Sequence, residues 1–193
     1  MTNELIPIRL SNMLSIYGVG AIVRGAKWLV VVQDTRQWTD RQGLPAGKLI
    51  PYVERVRAGL EIEEQLREPP VAKELANGQF GACVPATRFP SWMNCPDCGA
   101  MYRRPWLKDQ LDCNQQDCKR RPHLKQLTWV LVDHFGHLDD VPYWYLAHRG
   151  ARNPAQRNCK VKDQLRLIEI GYEKHIQCDA CKAKTKFRGN EEM

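Results

Sequence analysis

No run of about 18 apolar residues occurs in this sequence, and no charged start leads into an apolar block and a cleavage site. Neither a membrane span nor a secretory leader is expected, which makes the cytoplasm the default compartment. Internal repeats, low-complexity tracts and long flexible linkers are also missing. So are the short motifs of common enzymes: there is no G-x-S-x-G, no G-x-G-x-x-G after a strand and no H-E-x-x-H. "GLPAGKL" (43–49) has one residue too few between its glycines for a phosphate loop, and Leu49 stands where a magnesium-binding hydroxyl is needed. It reads as a turn, as does "YGVGAIV" (17–23) on its way into a strand.

What remains is a chain of 193 residues with 43% apolar content, enough to build one ordinary domain or two small ones. Its net charge of +7 favours an anionic partner only weakly. The charge is uneven, however: residues 147–193 hold 11 basic against 6 acidic side chains, whereas the rest of the chain is close to balanced. Contact with a polyanion should concentrate in that last quarter.

Eight cysteines require an explanation. In a reducing compartment they point to metal ligands or free thiols rather than disulfides. Cys95 and Cys98 ("CPDCG") and Cys113 and Cys118 ("CNQQDC") form two short cysteine turns separated by 14 residues, an arrangement similar to a zinc ribbon. Two such turns close a tetrahedral site because each bends the backbone around the ion and turns amides toward the sulfur charge. The competing reading, a redox-active C-x-x-C, lacks the βαβ setting it needs. Four thiolates leave no open position for water or substrate, so this Zn²⁺ would be structural. A second zinc is suggested by Cys178 and Cys181 ("CDAC") with Cys159 upstream; its fourth ligand is open among Cys83, His148, His175, His137 and a residue beyond Met193. Cys83, in the apolar run "GACVPA", reads more simply as a buried thiol.

"HFGHLDDVPYWYLAH" (134–148) gathers three of the five histidines with two adjacent aspartates. A catalytic reading makes His137, Asp139 and Asp140 a hydrolytic metal centre. The structural reading, which is preferred, has Gly136 turning after a strand, Asp139 and Asp140 capping a helix that starts near Pro142, Trp144 and Leu146 facing inward, and His148 at the helix C-terminus. Elsewhere "KWLVVVQD" (27–34), "LTWVLVD" (127–133) and "LRLIEIG" (165–171) read as strands, and 53–68 as a helix interrupted by Gly59. "REPPV" (67–71) and "RGARNPAQRN" (149–158) read as loops. The expected fold is α+β and β-rich, built around one or two structural zinc sites including the ribbon-like one. Its expected segments are 1–90, 91–132 and 133–193, unless the whole is one compact domain.

Several motifs, in order, resemble the amino-terminal part of DrmB proteins from DISARM anti-phage systems: "IRLSNMLSIYGVGAIV" (8–23), "VVVQDTRQW" (30–38), "ATRFPSWMNCPDCG" (86–99), "FGHLDDVPYWYLAH" (135–148) and the late "CDAC". The resemblance implies a non-catalytic, zinc-containing subunit of a hetero-complex that associates with a helicase and DNA in bacterial defence against phage. Cys95, Cys98, Cys113 and Cys118 are the functional residues it carries over. Two classes of function follow. One is a zinc-stabilised binding module in which Lys119, Arg120 and Arg121 of "KRRPHLK" and Lys182, Lys184, Lys186 and Arg188 of "KAKTKFR" contact phosphates while Phe187 stacks on a base. The other is a metal-dependent hydrolase or nuclease using His137, Asp139 and Asp140.

Overall fold

The computed structural model describes residues 9–13, 15–25, 27–40, 42–70 and 84–190. It is mixed α+β, rich in sheet and poor in helix. The chain divides into two compact units, Met1–Arg88 and Phe89–Met193.

In the first unit, β1 (Ile22–Arg24), β2 (Leu29–Val32) and β3 (Ala86–Arg88) form an antiparallel sheet in that order. β2 is the centre of the strand expected over 27–34, and Gly20, at φ 79°, makes the turn before β1. A short helix, α1 (Leu10–Met13), precedes them. The helix expected over 53–68 is cut to α2 (Glu54–Leu60), after which Glu61 is left-handed and its N–H turns back onto the Arg57 and Ala58 carbonyls. The reason is energetic: α2 has no buried residue, and a helix without an apolar face against a core has little to extend it. Beyond it the chain is extended enough for Arg67 to bridge Leu49.

The second unit is built on a six-stranded antiparallel sheet. It comprises β4 (Trp92–Asn94), β5 (Ala100–Arg103), β6 (Lys125–Gln126), β9 (Leu165–Ile170), β10 (Glu173–Cys178) and β11 (Lys184–Phe187), in the order β11-β10-β9-β5-β4-β6. The sheet therefore joins the segments 91–132 and 133–193 that the sequence reading set apart. β7 (Val130–Val132) and β8 (Leu138–Asp140) make a separate hairpin, turning at Gly136 with φ 85°. Two short helices follow, α3 (Tyr143–His148) and α4 (Pro154–Arg157).

α4 corrects the reading of 149–158 as loop throughout. Asn153 caps it, its side chain accepting from the Ala155 N–H at 2.9 Å, and Pro154 suits the first helical position. The core lies between α3 and one face of the sheet, where Tyr143, Leu146 and Ala147 meet Trp92, Met101, Leu165, Leu167, Ile176 and Phe187. Tyr143 sits edge-on to both Trp92 (5.4 Å) and Phe187 (5.6 Å). Burying side chains of this size contributes about 1.5–3 kcal/mol each, and this packing fixes where α3 stands on β10 and β11.

Candidate metal centres and basic surfaces

Each C-x-x-C pair occupies the tip of a β-hairpin, and the two tips have the same backbone. Cys95 ends the β4 side and Cys178 the β10 side. The Cys95 N–H donates to the Ala100 carbonyl and the Cys178 N–H to the Ala183 carbonyl, both at 2.9 Å. Four residues after each leading cysteine an N–H returns to that cysteine's carbonyl, from Gly99 at 2.9 Å and from Lys182 at 2.8 Å. Both of these residues have positive φ, 73° and 62°. At Gly99 the glycine is required by space as well, since a Cβ there would lie 2.1 Å from the Leu167 carbonyl oxygen of β9.

The first tip meets the turn carrying Cys113 and Cys118, which is held by the Cys113 N–H donating to the Pro122 carbonyl at 3.0 Å and by a bridge between Asp112 and His123. Cys95 Sγ lies 3.8 Å from Cys118 Sγ, and Cys98 Sγ lies 3.6 Å from Cys113 Sγ. All four sulfur atoms fall within 4.8 Å of one another. A tetrahedral ion with metal–sulfur bonds of about 2.3 Å spaces its sulfurs about 3.8 Å apart, whereas a disulfide would bring two of them to about 2 Å. The arrangement therefore fits a metal ion and not a disulfide.

The second tip gathers Cys159, Cys178, Cys181 and His148, again with all ligand atoms within 4.8 Å. Cys159 Sγ is 3.9 Å from Cys178 Sγ, and His148 Nε2 is 3.2 Å from Cys181 Sγ. The histidine is already oriented for ligation. Its Nδ1 lies 2.6 Å from the Trp144 carbonyl oxygen, which can only accept, so Nδ1 carries the proton and Nε2 presents its lone pair to the sulfurs. Of the candidates left open by the sequence, His148 is the one beside the three cysteines; Cys83 lies outside the described residues. α4 delivers Cys159, and Gln156 adds a bond to the Cys181 carbonyl at 3.2 Å.

Both sets could hold a cation, and the thiols show what it would offset. Burial pushes the Cys98 thiol up to about 12 and the Cys178 thiol up to about 11, and it raises Cys118 as well. Burial also acts to raise Cys113, but hydrogen bonds from the Tyr102 hydroxyl (3.4 Å), the Gln115 backbone and the neighbouring thiols bring it below its usual value. Cys159 is lowered, chiefly by the Val161 backbone N–H. Sulfurs this close, four in the first set and three in the second, repel one another when ionised, and a positive charge among them would offset that repulsion.

The chain matches the family DUF8724, described as a domain of unknown function, over residues 9–192. It belongs to that family. No curated protein matches it. The matched region contains both ligand sets entire.

The other candidate residues of this DUF8724 chain are placed differently from the ligands. His137, Asp139 and Asp140 do not converge: among the described residues, the only groups of three or more metal-ligating side chains are the two sets above. His137 Nδ1 pairs with Asp133 at 2.7 Å across the β7–β8 turn, and this contact holds the Asp133 carboxyl below its ordinary value. Asp139 accepts from the Asp140 N–H at 2.6 Å. The Asp140 carboxylate, only 8% exposed, accepts from the Ser91 N–H at 2.7 Å and from the Ser91 hydroxyl, with Arg103 3.7 Å away. Neither aspartate caps α3, which corrects the expectation of a helix cap. β8 stays paired to β7 through Asp140, so the chain is still extended there, and α3 starts without a side-chain cap after Pro142.

The first basic run is partly structural. Arg120 makes two bonds to Asp97, at 2.7 and 2.8 Å, Arg121 is left-handed at φ 46°, and Pro122 and Leu124 bond back to Cys113 and Leu111. Lys119 remains exposed. In the second run Lys184 and Lys186 lie on one side of β11, with Lys182 and Arg188 exposed at its ends. Lys186 pairs with Glu173, and Lys182 stands 3.9 Å from Asp179. Phe187 corrects the stacking expectation. It is 5% exposed and sits edge-on to Trp129 at 5.0 Å, so no base can reach its face in this fold. Among the described residues, no helix is long and apolar enough to cross a membrane.

Proposed function

We propose that this protein is a non-catalytic binding module whose second unit is stabilised by two structural Zn²⁺ ions and whose strand β11 presents a basic surface to nucleic acid. The observation that carries the reading is the pair of complete four-ligand sets, Cys₄ and Cys₃His, on equivalent hairpin tips of one sheet. Zinc suits both because it takes four sulfur and nitrogen ligands in tetrahedral geometry without redox chemistry. When bound it would supply charge neutralisation and folding free energy; with four protein ligands it keeps no position for substrate. Tyr102 would then donate to the Cys113 thiolate, and the Trp144 carbonyl would hold the His148 ring.

The nucleic-acid half of the proposal rests on β11. Alternate residues of a strand stand about 6.5 Å apart on one face, so Lys184 and Lys186 form a short row of cations that a phosphate backbone can follow without sequence preference. The resemblance to DrmB proteins adds the expected partner, a helicase within a hetero-complex of anti-phage defence. Reversing charge at Lys182, Lys184, Lys186 and Arg188 together should weaken nucleic-acid binding regardless of sequence and flatten its dependence on salt, because fewer counterions are released. Helicase binding should survive. Unchanged affinity and salt slope in the reversed protein would remove nucleic acid from this surface. A hydrolase using Asp139 is the competing reading, and turnover in Mg²⁺ or Mn²⁺ that stops in Asp139→Ala would establish it instead.

A further inference from the structure

Arg166, on β9, is bonded to turns that carry ligands of both sets. Its Nε donates to Asp179 Oδ2 at 2.8 Å, and Asp179 directly follows the ligand Cys178. Its Nη1 donates to the carbonyl of the ligand Cys98 at 3.1 Å and to Asp117 Oδ2 at 3.1 Å, and Asp117 directly precedes the ligand Cys118. One guanidinium thus touches both cysteine turns of the first set and the C-x-x-C turn of the second. The side chain is 19% exposed and its bonds to Asp179 and to the Cys98 carbonyl are part-buried, so water competes little for those two, whereas Asp117 faces solvent. Its backbone is held on both sides, paired with Ala100 of β5 and with Gln177 of β10. Asp179 is itself fixed, its N–H donating to the Gln164 carbonyl at 2.8 Å and its other oxygen accepting from Gln177 at 3.2 Å.

We propose that Arg166 is a positioning residue that couples the two metal sites, so that filling one raises the affinity of the other. A bound ion orders its cysteine turn, the ordered turn fixes one arm of the planar guanidinium, and the fixed guanidinium holds the turns of the other set in their ligating positions. Lysine could not do this, because a single ammonium lacks the rigid fork that spans three acceptors. Coupling of this kind typically changes affinity by about 5- to 150-fold, and by linkage the effect is the same in both directions.

This inference rests on the reading that both sets hold metal, and Co²⁺ titration of the full chain tests the two separately. Cobalt in four thiolates absorbs differently from cobalt in three thiolates and an imidazole, so each site is followed by its own bands while a chelator competes. Disabling the second site with Cys181→Ser should lower Co²⁺ affinity at the Cys₄ site at least about fivefold when Arg166 is present. The same substitution should have no effect on that site in an Arg166→Met background. Arg166→Lys should behave like Arg166→Met despite keeping the charge. Should Arg166→Met fail to fold, Asp179→Ala removes the arm to the second turn together with the Gln177 contact, and should abolish most of the dependence while leaving the bonds to Cys98 and Asp117. Equal effects of Cys181→Ser with and without Arg166, or with and without Asp179, or no effect in the native background, would overturn the coupling. A chain that takes up fewer than two Co²⁺ would overturn the metal reading instead.

Discussion

Replacing Gly99 by alanine tests whether the first cysteine hairpin and strand β9 are locked together as closely as the geometry states. Two costs add. Gly99 has φ 73°, and holding a residue with a Cβ in the left-handed region costs about 1–2 kcal/mol. The new Cβ would also lie 2.1 Å from the Leu167 carbonyl oxygen and 3.1 Å from its carbon, backbone atoms with no rotamer to escape into. β9 must therefore retreat, and the bond from the Leu167 N–H to the Gly99 carbonyl, now 2.8 Å, lengthens or breaks. Losing it costs about 0.5–1.5 kcal/mol more. The sum, about 1.5–3.5 kcal/mol from these two sources, is a substantial part of the roughly 5–15 kcal/mol that holds a domain folded.

Gly136→Ala is the matched control: φ there is 85°, but nothing lies within 4 Å of the added Cβ, so only the conformational cost applies. Urea unfolding of both variants at one fixed excess of zinc, followed by tryptophan fluorescence, should move the midpoint of Gly99→Ala further than that of Gly136→Ala. The gap should correspond to at least about 0.5–1 kcal/mol. Equal shifts would refute the close approach of β9 to the cysteine turn.

Elemental analysis should find two zinc per chain, and Cys113→Ser or His148→Ala should each remove one, with greater protease sensitivity because structural zinc contributes folding free energy directly. His148→Cys should keep two ions and give the second site the Co²⁺ spectrum of the first. Asp140→Asn should destabilise the second unit by about 1.5–3 kcal/mol, as befits a nearly buried carboxylate that accepts from Ser91, whereas Asp139→Asn should leave thermal unfolding unchanged. In the first unit, Asp34 should titrate at about 2 instead of 3.8, chiefly because Arg36 bonds to its carboxylate, and Arg36→Gln should return it toward 3.8 in a carboxyl-detected NMR titration. The folded-state value is depressed, so the stabilisation from this pair is complete above pH 3.8 and fades as pH falls through about 2. It should be small, since both side chains face water.

The first ligand set was legible in the sequence because a short cysteine turn is a local object: Pro96 and Gly99 shape it, and two such turns need only one another. The strands at 29–32, 130–132 and 165–170 were legible for a similar reason, each an apolar run bounded by polar residues. The short helix 143–148 was equally clear from Pro142 and the aromatic residues after it. His148 as fourth ligand was not. It stands eleven residues before Cys159 in a stretch with two other histidines, and nothing local separates them. Tertiary packing decides it: Tyr143, Leu146 and Ala147 seat α3 on β10 and β11, which carries the last residue of the helix to the tip where Cys178 and Cys181 lie.

The same distinction accounts for Asp140 and Phe187. The aspartate precedes a helix and looks like its cap, but pairing of β8 with β7 and the nearness of Ser91, 49 residues away, turn its carboxylate elsewhere. The phenylalanine lies among lysines and looks exposed, but strand alternation, which sequence shows only once the buried face is known, turns its ring into the core. Composition and short-range spacing determined the kind of chemistry this chain can support. Which residues from distant segments share a site was decided by the packing of one helix against one sheet, because that depends on apolar contacts that no local pattern records.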